Sequence, residues 1–166
     1  MTTMTAAHLP LPSRAEAQEQ LNADLRAVLS SDPTADSPIL VGRPSILRRL
    51  AAGIAASIGP ETDRIIARTG PDAQLATAVS VHTGVALAVI SADGSVSGEI
   101  HPGERIVTVS LFAADYEAHS LAAQIGERGA AVLGHLHAID LPGDRAMPTS
   151  AVTAPGLLGE TGEEAH

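Results

Sequence analysis

Residues 105–139 read RIVTVSLFAADYEAHSLAAQIGERGAAVLGHLHAI, and this stretch decides the fold. Its first part, Arg105 to Phe112, is apolar along most of its length, which is typical of a buried strand. A helix is predicted from about Glu117 to Arg128, and Gly129 suits its C-terminal end. A second strand is predicted from Ala131 to Ile139. Strand, helix and strand in this order predict one crossover unit of a parallel sheet.

The preceding residues repeat the same alternation of short apolar runs and helical patterns. RIIAR, Arg64 to Arg68, is a candidate strand, and Asp72 is placed to cap a helix that runs to Gly84. VALAVI, Val85 to Ile90, predicts another buried strand, and Ser95 to Ile100 an edge strand. The sequence therefore predicts an α/β fold with a mainly parallel sheet and helices on both faces.

An N-terminal helical addition is predicted before this core. Ser13-Arg14-Ala15-Glu16 fits a capping box, and leucines at helical spacing extend the helix over residues 14–29. Ile39 to Val41 is short and apolar and predicts a small strand. Pro44 suits the first turn of a second helix that Gly59-Pro60 ends.

A chain of 166 residues is long enough for one ordinary domain. Residues 1–12 are predicted to form a mobile leader, and residues 13–141 the domain. Residues 142–166 carry prolines, glycines and acids without periodicity, so we expect a largely disordered tail.

Composition excludes several classes of function. The net charge is -9 and lysine is absent, so phosphate neutralisation on nucleic acid or on an anionic membrane surface is disfavoured. Cysteine is also absent, which excludes disulfides, thiolate metal sites and a cysteine nucleophile. No apolar run approaches the roughly 20 residues that span a bilayer. We expect a cytoplasmic protein.

Four passages between residues 39 and 141 resemble the orotate branch of the type I phosphoribosyltransferase family. They are Val41 to Ser45, Asp63 to Ala76, Ser97 to Arg105, and Gly126 to Gly134 with its Gly-Ala-x-Val order. The resemblance implies the fold of that family. It also implies an ancestral activity, the transfer of a phosphoribosyl group from phosphoribosyl pyrophosphate to a base.

The chemistry that the resemblance implies is not supported by the residues at the matching positions. The family ends the strand that corresponds to Arg105 to Phe112 with two acidic residues that contact ribose. Those places fall on Ser110 and Leu111. Its glycine-rich phosphate loop is replaced by a stretch with Tyr116 and Glu117. Its cationic residues after the second strand are missing from Ile90 to Ser95, and cations are needed to stabilise a pyrophosphate leaving group.

We therefore predict no catalytic residues and a pseudoenzyme that binds a ligand or a protein partner. Leu111 and Phe112, apolar residues at the old active-site edge, would suit protein contact. The alternative is an active transferase that acts on a nucleobase with a remodelled loop. No cofactor is expected, except Mg²⁺ for that alternative. A third interpretation is a homodimeric structural module, and we expect a homodimer in any case.

Candidate ligand-binding residues follow the carboxyl ends of two predicted strands, where open α/β sheets bind ligands. For the residues after the first of these strands, the alternative is an ordinary capped turn with a solvated arginine. The candidates are Arg68, Thr69, Gly70 and Asp72 after one strand, and Ser110, Ala114, Asp115, Tyr116 and Ser120 after the other.

Two histidines, His135 and His137, are predicted to share one face of the last strand. With Asp140 or His119 they could ligate a metal ion, but two histidines alone are weak evidence. Packing beneath a helix or at a sheet face is the favoured interpretation, and no metal site is predicted.

Overall fold

The computed structural model describes residues 13–30, 32–113, 115–140 and 150–151. The helices are α1 (Arg14–Val28), α2 (Ser37–Val41), α3 (Pro44–Ala55), α4 (Pro71–Thr83) and α5 (Asp115–Glu127). The strands are β1 (Arg64–Arg68), β2 (Ala86–Ile90), β3 (Val96–Ser97), β4 (Arg105–Phe112), β5 (Ala131–Ile139) and β6 (Ser150–Ala151).

One sheet holds these strands in the order β3-β2-β1-β4-β5-β6. All neighbouring pairs are parallel except β2 and β3, which are antiparallel. Ile65 pairs with both Leu87 and Val107, so β1 lies between β2 and β4 at the centre. The prediction of an α/β fold with a mainly parallel sheet is confirmed.

Helices cover both faces of the sheet, as the crossover rule requires. Helices α3 and α4 pack on one face and α5 on the other. Side chains alternate between these faces along β4, because Val107 and Val109 join the α3–α4 core whereas Ile106 joins the α5 core. Because β1 and β4 are parallel neighbours, their carboxyl ends meet at one edge of the sheet, next to the starts of α4 and α5.

The capping box at the start of α1 is confirmed. Ser13 Oγ accepts a hydrogen bond from the Glu16 amide at 3.2 Å, and Glu16 Oε2 accepts one from the Ser13 amide at 2.7 Å. The helix ends at Val28, one residue before the predicted end.

The predicted strand at Ile39 to Val41 is wrong, because these residues form the last part of the five-residue helix α2. Pro38 lies in the first turn of this helix, where its fixed φ favours helical geometry. Leu40 and Val41 are buried in the core shared with α3 and α4. Helix α5 also begins earlier than predicted, at Asp115 instead of Glu117.

The predicted leader and most of the predicted tail lie outside the described residues. Ser150 and Ala151, within the predicted tail, pair with Leu136 and His137 of β5. None of the described helices is long and apolar enough to span a membrane.

A two-armed ion pair joins the starts of the two central strands. Arg64 Nε lies 2.8 Å from Glu104 Oε2, and Arg64 Nη2 lies 2.7 Å from Glu104 Oε1. Parallel bonds of this kind are among the stronger charge-assisted contacts. The hydrogen bonds from Arg64 lower the pKa of Glu104 from 4.5 to about 2.

We expect this pair to make folding sensitive to acid. Because the folded-state pKa of Glu104 is depressed, its contribution is present above pH 4.5 and lost as the pH falls toward 2. In urea unfolding over this range, the free energy of unfolding should fall less steeply for Glu104→Gln than for the natural protein. Glu19→Gln, at an exposed position of α1, is the control, and parallel curves for all three proteins would contradict the prediction.

Candidate functional site

The candidate site lies at the sheet edge where β1 and β4 end. Arg68 is the last residue of β1, and its guanidinium reaches sideways across this edge. Its Nη1 donates to the Ser91 carbonyl at 3.3 Å, and its Nη2 donates to Ser120 Oγ at 3.1 Å. The side chain thus links the end of β2 to α5. Arg68 is half-buried and bonded at two positions, so it is not a fully solvated arginine.

The turn after Arg68 is exposed and depends on glycine. Gly70 has φ 97° and ψ -146°, a conformation that side-chain-bearing residues rarely adopt. Pro71 follows as the first residue of α4, where its fixed φ suits the helix. The Thr69 amide donates to the Ile90 carbonyl at 3.3 Å, which ties the turn to the neighbouring strand.

Asp72 does not cap α4, contrary to prediction, because Gly70 holds the cap position and no side chain bonds there. The Asp72 carboxylate instead accepts a hydrogen bond from the Leu111 amide at 2.7 Å. Burial raises the pKa of Asp72, repulsion from Glu117 adds to the rise, and the bond from Leu111 opposes it. The start of α4 is therefore joined to the end of β4 by a partly buried acid.

Replacing Asp72 by asparagine is expected to stabilise the protein at neutral pH. A raised folded-state pKa means that ionisation opposes folding, so stability falls as the pH rises above the unfolded value of 3.8. Asparagine removes this charge, and its amide oxygen can still accept the bond from Leu111. Urea unfolding should show a gain at pH 7 that disappears below pH 3.8.

The matched control has the opposite sign. Hydrogen bonds from Arg105 lower the pKa of Asp63, so its charge favours folding. Asp63→Asn should therefore destabilise the protein at pH 7. A loss of stability on Asp72→Asn at pH 7 would show that its charge is needed in the fold.

Ser110 belongs to a chain of polar side chains between β4 and β5. Its Oγ donates to the Phe112 carbonyl at 2.7 Å and lies 3.1 Å from His135 Nε2. His135 Nδ1 is hydrogen-bonded to Thr108 Oγ1. His135 thus spans two hydroxyls on the face of the sheet that α5 covers.

The expectation that Leu111 and Phe112 offer an apolar contact surface is wrong. Leu111 is 1% exposed and Phe112 is 9% exposed, and both join the core beneath α3 and α4. Strand alternation accounts for Leu111, which shares a face with Val107 and Val109, and Phe112 joins the same core at the last residue of β4.

The start of α5 supplies the far wall of the site. Glu117 and Ala118 line the site, whereas Tyr116 is 86% exposed and points into solvent. Ala114 and the side chain of Asp115 lie outside the described part of the chain.

These side chains line a partly open cavity with room for about one water molecule. Its lining comes from β1, β4, β5 and the first turns of α4 and α5: Arg68, Asp72, Val109, Ser110, Glu117, Ala118, Leu121 and His135. The structure thus brings Arg68, Asp72 and Ser110 together, with Ser120 bonded to Arg68. Thr69 and Gly70 lie on the exposed turn beside them.

His137 is packed as the favoured interpretation predicts, being 1% exposed. Its Nε2 lies 2.6 Å from Asp140 Oδ1, and its Nδ1 is buried without a hydrogen-bond partner. Among the described residues, no group of three or more side chains could ligate a metal ion.

Sequence reasoning missed the part that His135 plays at the site. The sequence pattern places His135 together with His137 on one strand face, as a metal ligand or a packed residue. The register that sets Thr108 opposite His135 includes a shift between Ile106 and Val107, and no local pattern marks that shift.

Comparison with solved structures identifies the fold. The chain matches UMP synthase of Leishmania donovani with a TM-score of 0.67 and 20% identity, over 81% of this chain and 35% of that one. It matches adenine phosphoribosyltransferase of Rhodothermus marinus with a TM-score of 0.63 and 14% identity, over 81% and 98%.

A third match is orotate phosphoribosyltransferase of Mycobacterium tuberculosis, solved with inorganic phosphate. Its TM-score is 0.62 at 14% identity, over 75% of this chain and 83% of that one. No protein-family model matches the sequence, and neither does any curated protein. Identities this low establish the fold alone, and the chain has the type I phosphoribosyltransferase fold.

Proposed function

We propose that this chain is a phosphoribosyltransferase-like protein that has lost the transfer reaction and binds a ligand or partner instead. One observation carries the proposal. The cavity between β1, β4 and α5 admits about one water molecule, whereas a phosphoribosyl group needs an open cleft. Arg68 lines this space and is held there by its bonds to Ser91 and Ser120.

The electrostatics of the cavity support the same proposal. Two carboxylates, Asp72 and Glu117, line it together with one guanidinium, that of Arg68. At 4 Å, each carboxylate would repel a phosphate charge by about 1 kcal/mol in water and more inside a protein. Transfer from phosphoribosyl pyrophosphate needs cations at the leaving group, and this chain has no lysine to supply one.

The alternative, an active transferase on a nucleobase, rests on the exposed turn at Thr69 and Gly70. This turn opens α4, where Pro71 has no N–H and the amides of the first turn that could meet an anion begin at Asp72. Activity would require Arg68 to release Ser120. It would also require Mg²⁺ to compensate the negative charges of the two carboxylates.

Calorimetry separates the two proposals. Titration of the full chain with phosphoribosyl pyrophosphate and Mg²⁺ should give no binding heat, which corresponds to a Kd weaker than about 1 mM. An active orotate phosphoribosyltransferase under the same conditions is the positive control. Micromolar binding by this chain would overturn the pseudoenzyme and favour the transferase. Light scattering tests the separate expectation of a homodimer.

The candidate ligand contacts can be tested in the same instrument. For the pseudoenzyme we propose that Arg68 and the exposed Thr69-Gly70 turn provide the contacts. Inorganic phosphate is the simplest probe, and any binding heat should be lost in Arg68→Gln. Heat that persists in this variant would exclude Arg68 from the contact.

A further inference from the structure

The turn between β2 and β3 is held by two arginine side chains from other parts of the chain. Within the turn, the Gly94 amide donates to the Ser91 carbonyl at 3.0 Å, and the Ser91 amide donates to the Ser95 carbonyl at 2.9 Å. Arg68 Nη1 donates to the Ser91 carbonyl at 3.3 Å, and Arg128 Nη2 donates to the Gly94 carbonyl at 3.0 Å. Two guanidinium groups therefore bind the carbonyls of one short turn.

The same two arginines are joined a second time through α5. Arg128 Nη1 donates to the Gln124 carbonyl at 2.7 Å, and Gln124 Nε2 donates to Ser120 Oγ at 3.4 Å. Ser120 Oγ also accepts from Arg68 Nη2 at 3.1 Å. These contacts close a ring, which we call the arginine ring, formed by Arg68, Ser91, Gly94, Arg128, Gln124 and Ser120.

The members of the arginine ring are partly shielded from solvent, whereas the rest of the turn is not. Each member is half-buried, while Ala92, Asp93 and Ser95 are exposed. The turn lies close against α5, because a Cβ atom added at Gly94 would be 3.8 Å from Gln124 Oε1. Partial burial lowers the local dielectric constant and strengthens the bonds from a guanidinium to a carbonyl. The ring is therefore suited to fix the positions of its members.

Arg68 is the member of the ring that lines the cavity of the candidate site. Its guanidinium has five N–H groups, and the bonds to Ser91 and Ser120 use one on each Nη. A planar group bonded at both ends cannot rotate without breaking a bond, so its other N–H groups keep one orientation. The bond to Ser91 depends on where the turn lies, and Arg128 joins that turn to α5.

We propose that Arg128 is a positioning residue for Arg68. Arg128 is not among the residues that line the cavity. It acts through the turn, which it holds against α5 so that the Ser91 carbonyl is presented to Arg68. This role rests on the ligand contact proposed above for Arg68. A guanidinium already held in one orientation binds an anionic group such as phosphate without a further loss of rotational freedom.

A purely structural role for Arg128 is the alternative. Its bond to the Gln124 carbonyl satisfies one of the carbonyls that the end of a helix leaves without an intrahelical partner. Loss of such a contact would lower stability but would not change the motion of Arg68. The rotation of the Arg68 guanidinium therefore distinguishes the two roles.

Guanidinium NMR spectra of the full chain measure this rotation, because turning about the Nε–Cζ bond averages the signals of the two Nη groups. Arg68→Gln identifies the signals of residue 68. The natural protein should give two separate Nη signals for Arg68. In Arg128→Gln the rotation should be about tenfold faster, the change expected when one hydrogen bond to a charged group is lost.

Three further variants calibrate the measurement. Arg128→Lys keeps a cation that can donate to the Gly94 carbonyl, so it should restore most of the slow rotation. Ser120→Ala removes the other bond of Arg68 and gives the size of a direct effect. Arg14→Gln, at the exposed start of α1, should leave the rotation unchanged. Amide spectra of β4 and β5 must match in every variant, which shows that the sheet is intact.

Equal rotation rates of Arg68 in the natural protein and in Arg128→Gln would overturn the proposal and leave Arg128 as a helix-end contact. Calorimetry with inorganic phosphate tests the ligand contact separately. The Kd should rise about threefold to tenfold in Arg128→Gln, and an unchanged Kd despite faster rotation would also overturn the positioning role. If the natural protein gives no heat with phosphate, the anion contact of Arg68 fails, and the rotation rates alone decide whether Arg128 positions Arg68.

Discussion

Replacing Leu111 by aspartate is expected to destabilise the protein by more than about 4 kcal/mol. Leu111 is 1% exposed and packs with Val107 and Val109 in the larger core. Truncating a buried leucine costs about 2–5 kcal/mol on its own. The new carboxylate would also lie beside Asp72, which already bonds to the amide of residue 111. Two acids in a partly buried place oppose each other's ionisation.

This substitution restores one of the two acidic residues that the family resemblance places at positions 110 and 111. Urea unfolding at pH 7 measures the cost, and Leu111→Met, which conserves volume, should stay within about 1.5 kcal/mol of the natural protein. A cost for Leu111→Asp no larger than that of Leu111→Met would show that the strand end can still present an acid. The site would then be a remodelled active site and not a repacked one.

The parts of the fold that the sequence predicts well are those set by local patterns. Strands β1, β2, β4 and β5 are mainly apolar in sequence, because both sheet faces are covered. The capping box at Ser13 and Glu16 depends on residues three positions apart. The ends of α4 and α5 are predictable from Gly84 and Gly129, because glycine readily adopts the positive φ that often ends a helix. Their φ values are 74° and 78°.

The site could be placed from the sequence but its contacts could not. The carboxyl ends of β1 and β4 are predictable, and so is the meeting of Arg68 with Ser110 at one edge. The bonds that close this edge join residues 39 and 52 positions apart, Asp72 with Leu111 and Arg68 with Ser120. Such contacts depend on helix placement and strand register, which no local spacing encodes.

The error at Ile39 to Val41 has a similar cause. Three apolar residues fit a buried strand and one turn of a buried helix equally well. Strand formation also needs a partner at the sheet edge, whereas Pro38 and the core of α3 and α4 favour the helix. Tertiary packing decides the outcome.

Replacing Ile66 by alanine is expected to cost about 3–5 kcal/mol of stability, the upper part of the usual range. Ile66 is fully buried in central strand β1, within the smaller core beneath α5. Its neighbours there are aliphatic and mostly β-branched, with Ile90, Ile106 and Ile125 among them. Such side chains have few rotamers, so they cannot move into the space that the substitution leaves.

Ile66→Val is the matched control, because it removes one methylene group and should cost about 0.5–1.5 kcal/mol. Chemical unfolding of the three proteins under identical conditions gives the comparison. Since a domain has about 5–15 kcal/mol in total, the alanine variant should lose a large share of its stability. Equal costs for alanine and valine would mean that the core beneath α5 can collapse around the gap. Helix α5 would then be loosely held, and the bond from Arg68 to Ser120 of this helix would lose its structural support.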